Sequence, residues 1–194
     1  MMTTAELLEP LAKRRTDEVV VTTMSTVRPW GHLSDHDLDF ASADSAMGHA
    51  ADLALGIALA RPDRKVICLN GDGSMLMTLG TLATIVGSGA ENLILFVVDN
   101  GSFEITGNQP TAGAGYTDFA AFARAAGFGQ VYYFDQGGEY ASALDGVLNA
   151  KGPVFVHVRV RSGSEGPISR SAEEEARYLK TSLADWSRGF RSAL

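Results

Sequence analysis

The chain reads as an α/β protein built on a doubly wound parallel sheet, and three observations predict it. Short runs rich in Val, Ile, Leu and Phe fall at residues 19–21, 66–69, 93–98, 131–134 and 154–160, as strands buried on both faces require. Between them lie segments of helical length, several with apolar residues recurring every three or four positions. Two of the runs end in polar turns of similar character, Gly71-Asp72-Gly73-Ser74 and Asp99-Asn100-Gly101-Ser102. In open parallel sheets the C-terminal ends of neighbouring strands line the ligand crevice, so Asp72 and Asn100 are expected to face it together.

Taken in order, residues 4–15 form a short amphipathic helix, with Pro10 expected to kink or delay it. Residues 19–21 are a buried strand, and the polar group 22–26 at its C-terminal end is expected at the crevice as well. Residues 27–38 read as irregular, 38–41 as a short strand, and 51–60 as a helix of small residues closed by Pro62. After the strand 66–69, residues 74–90 read as one helix whose apolar face includes Met75, Leu79, Leu82 and Val86. Beyond the strand 93–98 comes a long polar, Gly-rich segment, 101–116, read as a lid that orders over the site. Helix 117–126, strand 131–134, helix 138–150 and strand 154–160 complete the alternation, and 162–167 reads as a linker. The domain is therefore placed at 1–165. The remainder, 166–194, reads as a helical tail carrying Tyr178, Leu179, Leu183, Trp186 and Phe190, packed on the domain or on a partner.

Composition narrows the function classes. With 45% hydrophobic and 20% charged residues, 194 residues suit one ordinary globular core. A formal net charge of −7 argues against a protein that grips a nucleic-acid backbone, which needs a basic face. No run reaches the length of a membrane span and the N-terminus lacks a signal-peptide pattern, so a cytoplasmic location is expected. Cys68 lies inside an apolar run and is expected to be a buried, inert thiol. No Gly-x-Gly-x-x-Gly turn follows the first strand, which argues against a dinucleotide site.

Gly-Asp-Gly alone is an ordinary tight turn, as is Asp-Asn-Gly. At matching ends of two apolar strands they gain chemical meaning. A carboxylate, an amide oxygen and backbone carbonyls are hard donors suited to Mg²⁺, and Ser74 with the N–H groups after it is expected to form a phosphate-accepting helix start. Mg²⁺ clamped on a diphosphate is the chemistry this pattern suggests. Other polar residues leave two readings open. Arg28 either binds an anionic substrate group or is a surface charge, and Glu104 is either an acid/base group or an exposed loop carboxylate. Thr106, Asn108 and Gln109 are available as hydrogen-bonding groups on the lid. His32, Asp35, His36 and Asp37 have spacing that invites a transition metal, but no downstream Cys or His pair closes such a site and the segment reads as a solvated loop. His157 alternates with apolar neighbours and reads as structural.

The Gly71-Asp72-Gly73 triplet, 25 intervening residues and then Asp99-Asn100 resemble the binding motif of thiamine-diphosphate enzymes, which ends in two asparagines. Asp99 departs from that pattern while leaving the second asparagine in place. The resemblance extends over roughly residues 5–170. It is closest to the small (beta) subunit of sulfopyruvate decarboxylase and the C-terminal half of phosphonopyruvate decarboxylase, through residues 71–85 and 106–111. It implies that Asp72, Asn100 and the Ser102 carbonyl hold Mg²⁺. It further implies that Gly71, Gly73, Ser74 and Phe103 lie against the cofactor, that Met47 supports its bent shape, and that the Ser45 carbonyl accepts from its aminopyrimidine.

The same resemblance implies a missing half. Family members activate the cofactor with a glutamate on a second, pyrimidine-binding domain, and a chain of this size supplies only the diphosphate-binding one. The expectation is a beta-type subunit of a heteromeric decarboxylase. An alpha partner would bring the activating glutamate, and the substrate would be a small, anionic 2-oxo acid. A subunit of an acetolactate-synthase-like or transketolase-like enzyme, or a non-catalytic cofactor-binding domain, are the alternatives.

Overall fold

The computed structural model describes residues 1–42 and 47–194. Helix α1 (Thr4–Arg14) is followed by strand β1 (Val19–Thr22), helix α2 (Val27–Leu33), strand β2 (Asp39–Ala41) and helix α3 (Ala50–Ala60). Then come β3 (Val66–Gly71), α4 (Asp72–Met77), α5 (Gly80–Ser88) and β4 (Leu93–Asp99). A small hairpin of β5 (Ser102–Phe103) and β6 (Gln109–Pro110) precedes α6 (Phe119–Ala126), β7 (Gln130–Phe134), α7 (Gly137–Asn149), β8 (Val154–Arg159) and α8 (Leu183–Ala193).

Six strands form one parallel sheet in the order β2-β1-β3-β4-β8-β7. The strand order reverses between β1 and β3, which makes their C-terminal ends the natural ligand crevice. Alternation along each strand divides the core in two. Val20, Ile67, Leu69, Ile94, Phe96 and Val156 pack with α1, α2 and α7 on one face. Val19, Val21, Cys68, Leu95, Val97 and Phe155 pack with α3, α5 and α6 on the other. Both faces are therefore dry, which is why the strands are apolar throughout instead of alternating with polar residues. Cys68 is fully buried, and loss of solvation pushes its thiol pKa far up, leaving it unreactive.

Several elements differ from the sequence expectation for identifiable reasons. Pro10 does not interrupt α1: the helix starts at a capping box between Thr3 and Glu6, and Leu7, Leu8 and Leu11 anchor it to the sheet. Residues 27–33 are helical, not irregular. Pro29 sits in the first turn, where its missing N–H costs nothing, and Trp30 is buried beneath. The expected single helix 74–90 is two, because the Thr78 hydroxyl donates to the Gly48 carbonyl and Thr78 leaves helical geometry. In the tail only Leu183–Ala193 is α-helical, while residues 177–179 make one 3₁₀ turn that drives Tyr178 inward.

That tail packs on the domain. Tyr178 donates its hydroxyl to the Val27 carbonyl and lies 3.1 Å from Thr22 Oγ1, and Trp186 Nε1 donates to the Asp39 carbonyl at 2.8 Å. Gly31 on α2 permits the approach, since a Cβ there would collide with Ala176 and the Tyr178 ring. Helix propensity alone predicts that Gly31→Ala stabilises the protein. Close packing predicts the reverse, and we expect a loss of about 1–3 kcal/mol, read as a lower urea midpoint. A raised midpoint would show that the tail does not seat against α2.

Candidate cofactor site

Parallel pairing of β3 with β4 sets Gly71 opposite Val98 and so brings the two polar turns side by side. Asp72, the first residue of α4, is only 3% exposed. Its Oδ2 accepts a 2.8 Å hydrogen bond from Thr111 Oγ1, and among the described residues it has no cationic partner. Burial pushes its carboxyl up to about 6; the Thr111 bond opposes the rise and the nearby Asp99 charge adds to it. Gly73 must be glycine, because a Cβ there would stand 2.5 Å from the Phe103 ring.

Asn100 is held on both sides. Its Nδ2 donates to Glu104 Oε2 at 2.8 Å, and its Oδ1 accepts from Ser102 N at 3.0 Å. Glu104 is not an exposed loop carboxylate: it is buried, and its other oxygen accepts from Glu165 N at 2.9 Å. Asp72, Gly71, Gly73, Asn100, Ser102, Phe103, Glu104 and Thr106 line one cleft of about 110 Å³ together with Met47, Met24 and Ser25. The Thr106 hydroxyl is engaged within the hairpin, 3.2 Å from the Phe103 carbonyl and 3.1 Å from Gln109 Oε1. Segment 101–110 is thus a folded hairpin and 3₁₀ turn, fastened to the irregular segment after β8 by Asn108 Nδ2 donating to the Gly163 carbonyl at 3.1 Å.

Other expected residues lie elsewhere. Ser74 turns away from the cleft and accepts from the Gly48 N–H at 2.9 Å, tying α4 to the turn that carries Met47. Ser45 lies outside the described residues. The structure does not bring Arg28 to the cleft: it forms a bidentate pair with Glu174 (2.7 and 3.1 Å) and donates to the Gly166 and Pro167 carbonyls. His32, Asp35, His36 and Asp37 diverge. His32 approaches Glu175, Asp35 and Asp37 take Arg177, and His36 Nδ1 accepts from Leu38 N. Among the described residues no three His, Cys, Asp or Glu side chains converge as a metal site. The cleft's own donors are of another kind, one carboxylate beside an amide and backbone carbonyls.

The group 22–26 reaches the crevice as expected, through Met24 and Ser25, and Met24 does so with a left-handed φ of 51° that the sequence does not announce. One feature escaped the sequence. Asp99 is buried and bound to His157, whose Nε2 donates to its Oδ2 at 3.0 Å, with Arg159 Nε 3.6 Å away. The β4–β8 register, which pairs Asp99 with Arg159, is the signal that would have revealed it.

Residues 29–158 match the family described as thiamine pyrophosphate enzyme, C-terminal TPP binding domain. The chain belongs to that family. This thiamine-diphosphate-binding domain is 39% identical over 152 residues to phosphonopyruvate decarboxylase of Streptomyces hygroscopicus, covering 78% of the chain and 37% of that protein. It is 38% identical over 139 residues to sulfopyruvate decarboxylase subunit beta of Methanothermobacter thermautotrophicus, covering 70% of the chain and 71% of the relative. The chain spans only 37% and 41% of the two phosphonopyruvate decarboxylases it matches. Among solved structures, a thiamine diphosphate-dependent 4-hydroxybenzoylformate decarboxylase of Rhodococcus jostii superimposes with a TM-score of 0.69 over 84% of the chain and 33% of its own. At 21% identity, that likeness concerns the fold alone. Among the described residues no helix is long and apolar enough to cross a membrane.

The raised Asp72 carboxyl has a measurable consequence. Its folded pKa of about 6 lies above the unfolded value of about 4, so protonation favours the fold. That contribution is complete below about pH 4, is lost as pH rises through about 6, and amounts to about 3 kcal/mol. We expect Asp72→Asn to remove this part of the pH dependence. The variant should also be more stable than cation-free wild type at about pH 7.5, measured by urea unfolding in a chelator. Equal stability there would show that burial does not oppose the charge.

Proposed function

We propose that the chain is the diphosphate-anchoring, beta-type subunit of a heteromeric thiamine-diphosphate-dependent decarboxylase acting on a small anionic 2-oxo acid. The observation that carries the anchoring role is Asp72, a nearly inaccessible carboxylate with a hydroxyl partner and no cation among the described residues. A buried charge of this kind calls for a counter-ion. The donor set suits Mg²⁺: the Asp72 carboxylate, the Asn100 amide oxygen and the Ser102 carbonyl are hard oxygens. Glu104 acts on the site through Asn100, taking its Nδ2 hydrogen so that the amide cannot turn its nitrogen toward the cation.

When bound, thiamine diphosphate supplies the nucleophilic carbon and the electron sink that decarboxylation of a 2-oxo acid requires. This chain's residues provide anchoring and walls. Phe103 and Met47 are the apolar surfaces of the cleft, while Gly73 lets the Phe103 ring close against α4. Two facts support a partner chain. A cleft of about 110 Å³ is well short of the roughly 300–1,000 Å³ of sites that enclose whole cofactors. Among the described residues lining it none is basic, and Arg28 is occupied by the tail, so the cation that reads an anionic substrate belongs to the other half of the site. The relatives named sulfopyruvate decarboxylase subunit beta support the heteromeric arrangement, and the names of both relatives support the substrate class.

Calorimetry with thiamine diphosphate and Mg²⁺, on the chain alone and with a pyrimidine-domain partner, tests this directly. We expect Mg²⁺-dependent binding that Asp72→Ala abolishes, and decarboxylation only with the partner present. Turnover by the isolated chain would refute the half-site assignment. Glu104→Gln is expected to weaken Mg²⁺ affinity about 10-fold while leaving the far-UV spectrum unchanged, since a neutral amide cannot accept from both Asn100 Nδ2 and Glu165 N as the carboxylate does.

A further inference from the structure

A second and larger cavity, about 440 Å³, opens at the same edge of the sheet on the far side of β4. It lies at the C-terminal ends of β7 and β8 and the N-terminal end of α6, with Tyr116, Tyr133, Arg124, His157 and Arg159 in its walls. It shares no lining residue with the cofactor cleft, although Asp99 on its wall directly precedes Asn100 in the chain. Its volume is within the range of sites that enclose small organic molecules, roughly 300–1,000 Å³, whereas the cofactor cleft is below it.

The cavity's cations are what set it apart. Arg14, Arg15, Arg28, Arg61, Arg177 and Arg188 each hold a carboxylate. Arg124 and Arg159, which share this cavity, are held more loosely. Arg124 has no hydrogen-bond or ion-pair partner among the described residues, and the closest carboxylate to Arg159 is Asp99, 3.6 Å from its Nε. The two carboxylates in the wall are committed. Asp99 accepts from His157 at 3.0 Å, and Asp118 caps α6 by accepting from Ala121 N at 2.9 Å. What remains are two guanidinium forks with free donors beside two tyrosine rings. Planar forks of this kind match carboxylate and phosphate oxygens, and the rings offer a flat apolar wall.

We propose that this cavity binds a small organic anion bearing a carboxylate or phosphate group, held by Arg124 and Arg159 against the faces of Tyr116 and Tyr133. The ring of His157, in edge contact with Tyr133 at 5.1 Å and Phe119 at 5.4 Å, forms the rigid floor. The site is independent of thiamine diphosphate, because no residue is common to the two clefts.

The test is titration calorimetry of the full chain with three probes, inorganic phosphate, malonate and glycerol 3-phosphate, each with and without thiamine diphosphate and Mg²⁺. Malonate and glycerol 3-phosphate separate the carboxylate source from the phosphate-ester source, and inorganic phosphate reports the bare anion. We expect saturable 1:1 binding of at least one organic probe, weakened about 10-fold or more by Arg124→Gln, an exposed change that leaves the fold intact. Asp72→Ala should leave that affinity within about 2-fold, since it alters only the other cleft. Three outcomes overturn the inference: no heat from any probe at about 10 mM, displacement of the probe by thiamine diphosphate, or full affinity in Arg124→Gln.

Discussion

A carboxylate sealed from water with no cation beside it among the described residues is an expensive thing to fold, and Asp72, held by the Thr111 hydroxyl and the backbone N–H groups of its own turn, is such a group. Much around it is explained by that position. It stands at the first turn of α4, at the end of a strand buried on both faces, so its backbone is fixed by the parallel ladder to β4. Thr111, brought back by the β5–β6 hairpin, gives it one hydrogen bond, and the neighbouring Asp99 charge works against it. In the function proposed above a divalent cation would offset this cost, so that the shortfall in stability and the capacity to anchor are the same physical fact.

The surrounding architecture keeps the cleft's walls in place without help from a ligand. Core packing on both sheet faces fixes the strand ends, and the strand ends fix the turns. The tail then braces the β1–β2 side of the domain, with Tyr178 hydrogen-bonded to α2 and the end of β1 and Trp186 to β2. Arg28 belongs to that bracing. Its fork holds Glu174 and the carbonyls of residues 166 and 167, which is a structural use of a residue that sequence position alone offered to substrate.

What was legible in the sequence follows from which forces are local. Apolar runs and polar turn residues are local, so the strands, the doubly wound sheet and the meeting of Asp72 with Asn100 could be read from them. The helix over 27–33 was hidden because Pro29 and Gly31 mask its period, and only the buried Trp30 and the docked tail justify it. The split between α4 and α5 depends on Thr78 reaching Gly48, 30 residues away, and the burial of Glu104 on a backbone donor 61 residues later. Capture of Arg28 spans 146 residues. Such polar pairs have no periodicity, and they decided each side chain whose role the sequence left open.

The fastening of the hairpin to the segment after β8 has one more consequence. Asn100, Glu104 and the Glu165 backbone form a chain of hydrogen bonds, and Asn108 repeats the attachment at Gly163. The amide facing the cleft is thereby tethered to residues that leave the sheet at the C-terminal end of β8 and run exposed over 161–164. A force applied to that segment is transmitted through the Glu104 side chain to the Asn100 amide at the cleft. In mechanical terms the loop is less a door than a lever, with its short arm in the cleft and its long arm at the surface.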